Sequence, residues 1–579
     1  MSARKLVVVL SALLSLIVLA APAQAKKDRP SRVLMIVLDQ ARPDTIERYG
    51  MKNVQKLQHR GKNFPNALVG HMAAETVISH NVLTSGLFPK HMGWSNEVYR
   101  DVGGVLGAAG SYHITSSMSC AQFRSLIDAG GYPKLQDYLD QRFGEAAKFA
   151  SIAQKRTSAC TAGHTSSGAG DGTATDPEDI IFQIRGDRPL DSAGARISCD
   201  GRPDWRKPES GNGALPLYFN DTQNCTNRWW TWQQAGAYGT GSILPAAIYP
   251  LDGNRFVPGF DPAHIGGDNW SADAVIRVID NDPNWRGMMV SLGAIDKMGH
   301  MWGPEDNVTG PEGSDQQVSH LPFAAKNADE QVGRIVAALK ARGQLKDTLI
   351  VITADHAAHT GRQFNGRFDL NSCNASTNSN GIRSDCNWYF GQDADERYLD
   401  PSPAVAQLRD ALAGNLAFSY QDGHVAAWLH DNSLGKKQQA AGVVLTMPGV
   451  IAAFRTNAAQ NDYELHGTNQ MGTAERDWFL AHGEELVDTM AHPSGPDVVG
   501  LVATDVTYGV MGDHGGHNEL IQEVPMVFAG PRVNPADSRH PLRHVDVVPT
   551  ILEAMGIEYD EDDFDGEATD LSAPGRGNR

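Results

Sequence analysis

The chain has 579 residues, 41% of them apolar and 20% charged, long enough for one large domain with insertions or for two to three domains. Its formal charge of −18 excludes a surface built for nucleic-acid polymers, although a small phosphorylated substrate stays compatible if bound cations reverse the local charge. Six cysteines, none in a close Cys-x-x-Cys spacing, point to disulfides rather than to a cysteine zinc site.

In chain order, Arg4 and Lys5 precede an apolar run from Leu6 to Ala21, then Pro22 and the small-residue pattern Ala23-Gln24-Ala25. This reads as a signal peptide over 1–25, an uncleaved anchor being the alternative, so the protein is expected to be exported, periplasmic or secreted. The rest of the chain has no long apolar run, and no membrane contact is expected after cleavage. Cys373 and Cys386 flank a polar stretch and form the preferred pair. Cys120, Cys160, Cys199 and Cys225 are then left to pair among themselves.

"RVLMIVLDQ" (32–40) is a continuous apolar run ending at Asp39, as expected of a strand buried on both faces of a parallel sheet. "HMAAETVISHNVLTSGLFPKHMGW" (71–94) places Thr76 at the start of a short helix, where it is either a helix cap or a nucleophile. A long segment from about 97 to 270, rich in Gly, Ser, Asp and Trp, comes next and reads as an insertion. "MMVSLGAID" (288–296) repeats the strand-then-aspartate design with Asp296, and His300 follows in "DKMGH". An amphipathic helix, 328–343, closes at Gly343 before "TLIVITADH" (348–356), which delivers Asp355 and His356. The segment from about 357 to 505 carries a strand-helix-strand pattern and reads as a small inserted cap. A strand at 524–531, a helix at 543–557 and an acidic end close the chain, with 571–579 as a tail. The alternation predicts an α/β fold: one catalytic domain over 26–570, with a large, mostly parallel sheet and helices on both faces. Ligands of such sheets bind beyond the carboxyl ends of the strands.

The polar residues at those ends are Asp39, Asp296, His300, Asp355, His356 and, in "GDHGGH", His514. Carboxylates with imidazoles suit zinc, or else manganese. Six ligands and a hydroxyl exceed one tetrahedral site and divide into two groups of three, the usual clamp for phosphoryl displacement being two divalent ions roughly 4 Å apart. Each fragment alone is an ordinary turn or surface pair, and His359, His424 and His517 read as ordinary residues.

The pieces "VLDQARPDTIERYGMKNVQKLQHRGKNF", "ETVISHNVLTSGLFPKHMG", "DKMGHMWG", "ADH", "GDHGGHNELIQEVPMVFAGP" and "HVDVVPTILEAMGI" resemble, in order, the alkaline phosphatase superfamily, closest to its nucleotide pyrophosphatase/phosphodiesterase-like branch. The resemblance implies that Asp39, Asp355 and His356 hold one metal together with Thr76, and that Asp296, His300 and His514 hold the other. It also makes Thr76 the nucleophile, with Asn96 and Lys155 facing the phosphate. Sulfatase chemistry is disfavoured because Thr-Val-Ile-Ser-His replaces the Cys/Ser-x-Pro-x-Arg of that branch. Two departures stand out: Glu97 follows Asn96 where a second asparagine is common, and Lys155 and Arg156 are adjacent where monoesterases carry Lys-x-Arg. Surface exposure is the alternative for Lys155. The implied activity is an exported, metal-dependent phosphoric ester hydrolase, a phosphodiesterase or nucleotide pyrophosphatase acting on a small phosphorylated substrate. The alternatives are an alkaline phosphomonoesterase and a non-catalytic binding protein.

Overall fold

Apolar residues at consecutive positions leave "RVLMIVL" no polar face, and Arg32–Leu38 (β1) accordingly lies in the middle of a sheet with all but its first residue buried. A computed structural model describes residues 29–144, 146–166, 179–185, 205–213, 215–219, 231–233, 250–251, 264–302, 308–309, 318–359, 362–363, 403–504, 506–507, 512 and 514–573. The expected leader, Cys199, Cys225 and the Cys373–Cys386 pair lie outside these residues, whereas Cys120 and Cys160 are joined in a disulfide.

Among the strands that run parallel with β1 are Lys148–Ala153 (β2), Trp285–Leu292 (β3) and Thr348–Thr353 (β4). The order across the sheet is β4-β1-β3-β2, with β1 paired to β4 on one side and β3 on the other. Met526–Ala529 joins β4 antiparallel, and among the described residues the sheet has 11 strands. The mostly parallel α/β architecture expected from the sequence is present. The boundary of the expected insertion at 97–270 needs correction, because β2 belongs to the central sheet. "KFASIA" is short and ends in Gln154-Lys155 rather than an acid, so it lacks the strand-then-aspartate pattern of its neighbours.

Three helices bring side chains to the ends of these strands. Thr76–Ser85 (α1) is buried at all ten positions, so it presents no face to solvent although six of its residues are polar. It stops at Gly86, whose φ of +72° gives the left-handed cap and whose N–H bonds the Val82 carbonyl. Arg156–Gly163 (α2) follows β2, and Ala294–Trp302 (α3) follows β3.

A second, five-stranded antiparallel sheet is built from Leu416–Gln421, His424–Leu429, Val450–Thr456, Tyr463–Thr468 and Val498–Val502. The strand-helix-strand pattern read within 357–505 is there as His424–Leu429, the helix Leu434–Leu445 and Val450–Thr456. The hairpin joining the first two strands touches the main body at its tip. Gly423 N–H donates to the His514 carbonyl at 2.8 Å, and a Cβ on Gly423 would collide with the Gly515 carbonyl. Only glycine permits that approach.

The second sheet is also fastened by a buried ion pair. Arg100 Nη1 lies 2.8 Å from Asp497 Oδ2 and its other nitrogens donate to the Pro493 and Gly495 carbonyls. Asp497 also accepts from Leu429 N–H and Gln460 Nε2. Removing one partner of such a pair strands the other charge, so Asp497→Ala should lower stability by about 3–5 kcal/mol, read as a clear fall in the urea midpoint. A midpoint unchanged from the parent would mean that the pair does not anchor the sheet.

Candidate active site

Because β4, β1, β3 and β2 are adjacent and parallel, the residues that follow them emerge along one edge in that order. Asp355 and His356 follow β4, Asp39 follows β1, Asp296 sits in the first turn of α3 after β3, and Lys155 stands just before α2. Lys155 Nζ is 2.6 Å from Asp296 Oδ2 and 2.8 Å from Asp39 Oδ2. Asp355 Oδ1 accepts the backbone N–H groups of Gln40 and His356, both at 3.1 Å. His356 Nε2 lies 3.5 Å from Asp355 Oδ2 and 3.8 Å from Asp39 Oδ1.

Thr76 is brought to this edge by α1. It is the first helical residue, and the extended Glu75 before it occupies the cap position. Thr76 Oγ1 lies 3.2 Å from His356 Nε2 and accepts from Lys155 Nζ at 3.3 Å. His356 Nδ1–H donates to the Ala357 carbonyl at 3.1 Å, which leaves the Nε2 lone pair directed at the threonine hydroxyl.

Among the described residues three clusters bring potential metal-ligand atoms within 4.8 Å of one another; one is Cys120, Cys160 and His164, whose cysteines are joined in the disulfide, and the two at this edge are Asp39, Asp355 and His356, and Asp296, His356 and His514. Of the two at this edge, the first reproduces three of the ligands expected for one metal. The second contains two of those expected for the other, with His356 between them, and the His356 and His514 rings are 4.0 Å apart. His300 lies on α3 four residues after Asp296, on the same helical face, and its side chain falls outside the described residues.

Burial, then the neighbouring charges of Asp296 and Asp355, pushes the Asp39 carboxyl well above the usual carboxylate range, and Lys155 only partly opposes this. Burial also raises Asp355, but His356, His80 and Lys155 outweigh it and hold it below its ordinary value. Lys155 is pushed down by burial and, more strongly, up by Asp296, Asp39 and Asp355. Asp39 is fully buried, and among the described residues its carboxylate oxygens have no hydrogen-bond donor beyond the Lys155 ion pair. Such crowded carboxylates beside an imidazole lone pair fit divalent cations, which would offset both the burial and the repulsion that raise Asp39.

Asn96 does not reach Thr76 through any described contact. Its Nδ2 lies 3.1 Å from His424 Nε2 in the second sheet, and its Oδ1 accepts Val98 N–H. Glu97 accepts the Tyr420 hydroxyl at 2.9 Å, and that hydroxyl is 3.1 Å from Asp422 Oδ2. Asp422 Oδ2 is in turn 3.7 Å from His514 Nδ1. Arg156 turns outward to the Ser117 carbonyl. Sequence reasoning missed Asp422, which is 92 positions from His514, and no local pattern announces it. It also missed His80, although the four-residue spacing from Thr76 on a helix offered a signal. Burial depresses His80 and His424 to about 4 and His544 to about 3, so this layer of imidazoles is neutral.

A family model described as type I phosphodiesterase/nucleotide pyrophosphatase matches residues 33–174 and 214–487. No curated protein sequence matches the chain. Among solved structures, wild-type alkaline phosphatase PafA is similar at a TM-score of 0.60 and 15% identity, covering 94% of this chain and 99% of that one. A four-substitution variant of PafA gives 0.61 at 15% identity, covering 93% and 98%. Murine ectonucleotide pyrophosphatase/phosphodiesterase 5 gives 0.48 at 10% identity, covering 93% and 97%. At these identities the structural likeness concerns the fold.

Proposed function

The chain belongs to the type I phosphodiesterase/nucleotide pyrophosphatase family, phosphoric ester hydrolases of the alkaline phosphatase superfamily, and we propose that Thr76 is its nucleophile. The observation that carries this reading is the position of Thr76 Oγ1, at the first residue of a buried helix and between His356 Nε2 and Lys155 Nζ. A threonine serving only as a cap would not need either partner.

In the proposed reaction Thr76 Oγ1 bonds to phosphorus as the bond from phosphorus to the leaving oxygen breaks, giving a phosphothreonine; the hydroxyl proton passes to solvent and the leaving oxygen takes one from solvent. Water then attacks phosphorus as the Oγ1–P bond breaks; one hydrogen of that water stays on the phosphate as P–OH and the other, exchanged through solvent, returns to Thr76 Oγ1. The N-terminus of α1 presents the positive end of its dipole to the phosphoryl group. Asp39, Asp355 and His356 would hold one divalent ion and Asp296, His300 and His514 a second, zinc or manganese, which when bound lower the hydroxyl pKa and neutralise phosphoryl oxygens. Lys155 adds a fixed cation beside Thr76 Oγ1, and His356, held through Nδ1, keeps its Nε2 toward the same atom.

For the substrate we infer a small phosphodiester or nucleotide-type pyrophosphate. Support comes from the family match and from two groups that turn away, Arg156 to Ser117 and Asn96 to His424, which leaves few cations for a dianionic monoester. Lys155 favours a second reading, a phosphomonoesterase, because it points into the site rather than to solvent. The Cys120–Cys160 disulfide supports export to an oxidising compartment, and among the described residues no helix is long and apolar enough to cross a membrane.

Thr76→Ala should lower turnover by about 10⁴-fold or more with metal content near normal, while Thr76→Ser keeps measurable turnover. Parent-like rates in Thr76→Ala would refute the assignment. Dialysis against a chelator should abolish activity, and zinc or manganese should restore it; elemental analysis finding less than about one ion per chain would count against two metals. Lys155→Ala should reduce kcat/KM for an aryl phosphate monoester by about 10²–10³-fold and for the matching diester far less. Equal losses would show that Lys155 does not discriminate between them.

A further inference from the structure

We propose that His80 is a positioning residue that locks the nucleophile to one edge of the metal-ligand set. The proposal rests on reading Thr76 as the nucleophile. His80 lies on α1 one turn beyond Thr76 and is 1% exposed. Its Nδ1 is 2.7 Å from the Thr76 carbonyl oxygen and 3.4 Å from Asp355 Oδ2. Both neighbours are acceptors, so Nδ1 carries the hydrogen and donates, mainly to the carbonyl. In an ordinary helix the Thr76 carbonyl is the acceptor for the His80 backbone N–H alone. The imidazole adds a second donor to that carbonyl, and the same hydrogen faces a carboxylate delivered by β4.

The geometry gives His80 a task that packing does not require. Asp355 Oδ1 is already fixed by two backbone N–H groups, so the carboxylate can still swing Oδ2 about that anchor. His80 stands where it limits this swing, and it ties the limit to the first turn of the helix that carries Thr76. The nucleophile and the carboxylate are 279 residues apart in sequence, and their relative position depends on contacts such as this one. Hydrogen bonds that orient a ligand from behind are worth about 10–100-fold in metal affinity or activity. A core histidine that merely fills space would be replaceable by any side chain of similar volume, whereas a positioning histidine requires a donor at the place of Nδ1.

The test uses His80→Asn, His80→Gln and His80→Ala in the full chain. Asparagine can place an N–H near the position of Nδ1, whereas glutamine reaches toward Nε2. Zinc retention is measured by competition with a chelator, and kcat and KM are measured with an aryl phosphate ester. Alanine and glutamine should each weaken zinc binding and lower kcat by about 10–100-fold, with KM little changed, and asparagine should recover most of both. The proposal is overturned if alanine and glutamine keep zinc affinity and kcat near parent values. It is equally overturned if asparagine and glutamine are impaired alike, which would reduce His80 to packing. Failure of the nucleophile assignment would appear separately, as turnover retained in Thr76→Ala, while the zinc competition would still read the tie to Asp355.

Discussion

Like-charge repulsion among three buried carboxylates is the constraint on which the rest of this structure turns. Asp39, Asp296 and Asp355 leave adjacent strands of one parallel sheet, and no side-chain rotation can carry them far apart. Two unit charges about 4 Å apart in a protein-like dielectric repel by about 4 kcal/mol, so a site of this kind needs positive charge nearby. Lys155 supplies some of it from the next strand along. Burial first, and then the charges of Asp296 and Asp355, raise the Asp39 carboxyl against the opposing pull of Lys155, and divalent cations in the cluster would favour its charged form.

The second layer answers the same constraint in a different way. His71, His80 and His544 are buried behind α1 and the β4 edge, and burial is the leading cause that keeps each of them neutral. Neutral imidazoles give directional hydrogen bonds without adding charge to a region where net charge is already costly. The positive contributions beside Thr76 therefore come from elements aimed at the reacting atoms: the α1 N-terminus, Lys155, and the cations that the cluster can hold. A charged histidine behind Asp355 would compete for that carboxylate.

The legible part of the sequence was the part where one residue's role follows from its own neighbours. An apolar run that ends in an acid marks β1, β3 and β4, because a strand buried on both faces has no polar residue until it leaves the sheet. Asp39, Asp296, Asp355 and His356 could be named for that reason, whereas the stretch around Thr76 fitted a helix cap equally well and only the family resemblance singled it out. Lys155 was harder, since β2 ends in Gln-Lys and its strand resembles any other short apolar run. The adjacency of Lys155 and Arg156 proved informative: one precedes α2 and the other begins it, and they point to opposite destinations, the site and the Ser117 carbonyl. The contacts of Asn96 with His424, and of Asp422 with His514, join segments whose separation in sequence carries no periodic signal. Only the folded hairpin brings them together.

That hairpin changes how the second sheet should be regarded. A cap laid over a site could vary freely as long as it shed water. This one donates Gly423 N–H to the backbone of His514, sets Asp422 beside the His514 ring, and engages Asn96 and Glu97, the positions where the family resemblance leads one to expect two asparagines. Its opposite end is held by Arg100 and Asp497, the latter accepting Leu429 N–H, so the strand that begins at His424 is fastened at both ends. The five-stranded sheet is in this sense part of the site's wall. It constrains His514 on one side while Asp39, Asp355 and Lys155 are constrained by the central sheet on the other. Through its neighbours the same hairpin also reaches the start of α1, since Gly515 N–H donates to the Ala74 carbonyl and Glu97 N–H donates to the Glu75 carboxylate, so the two sheets meet beside Thr76 as well as at His514.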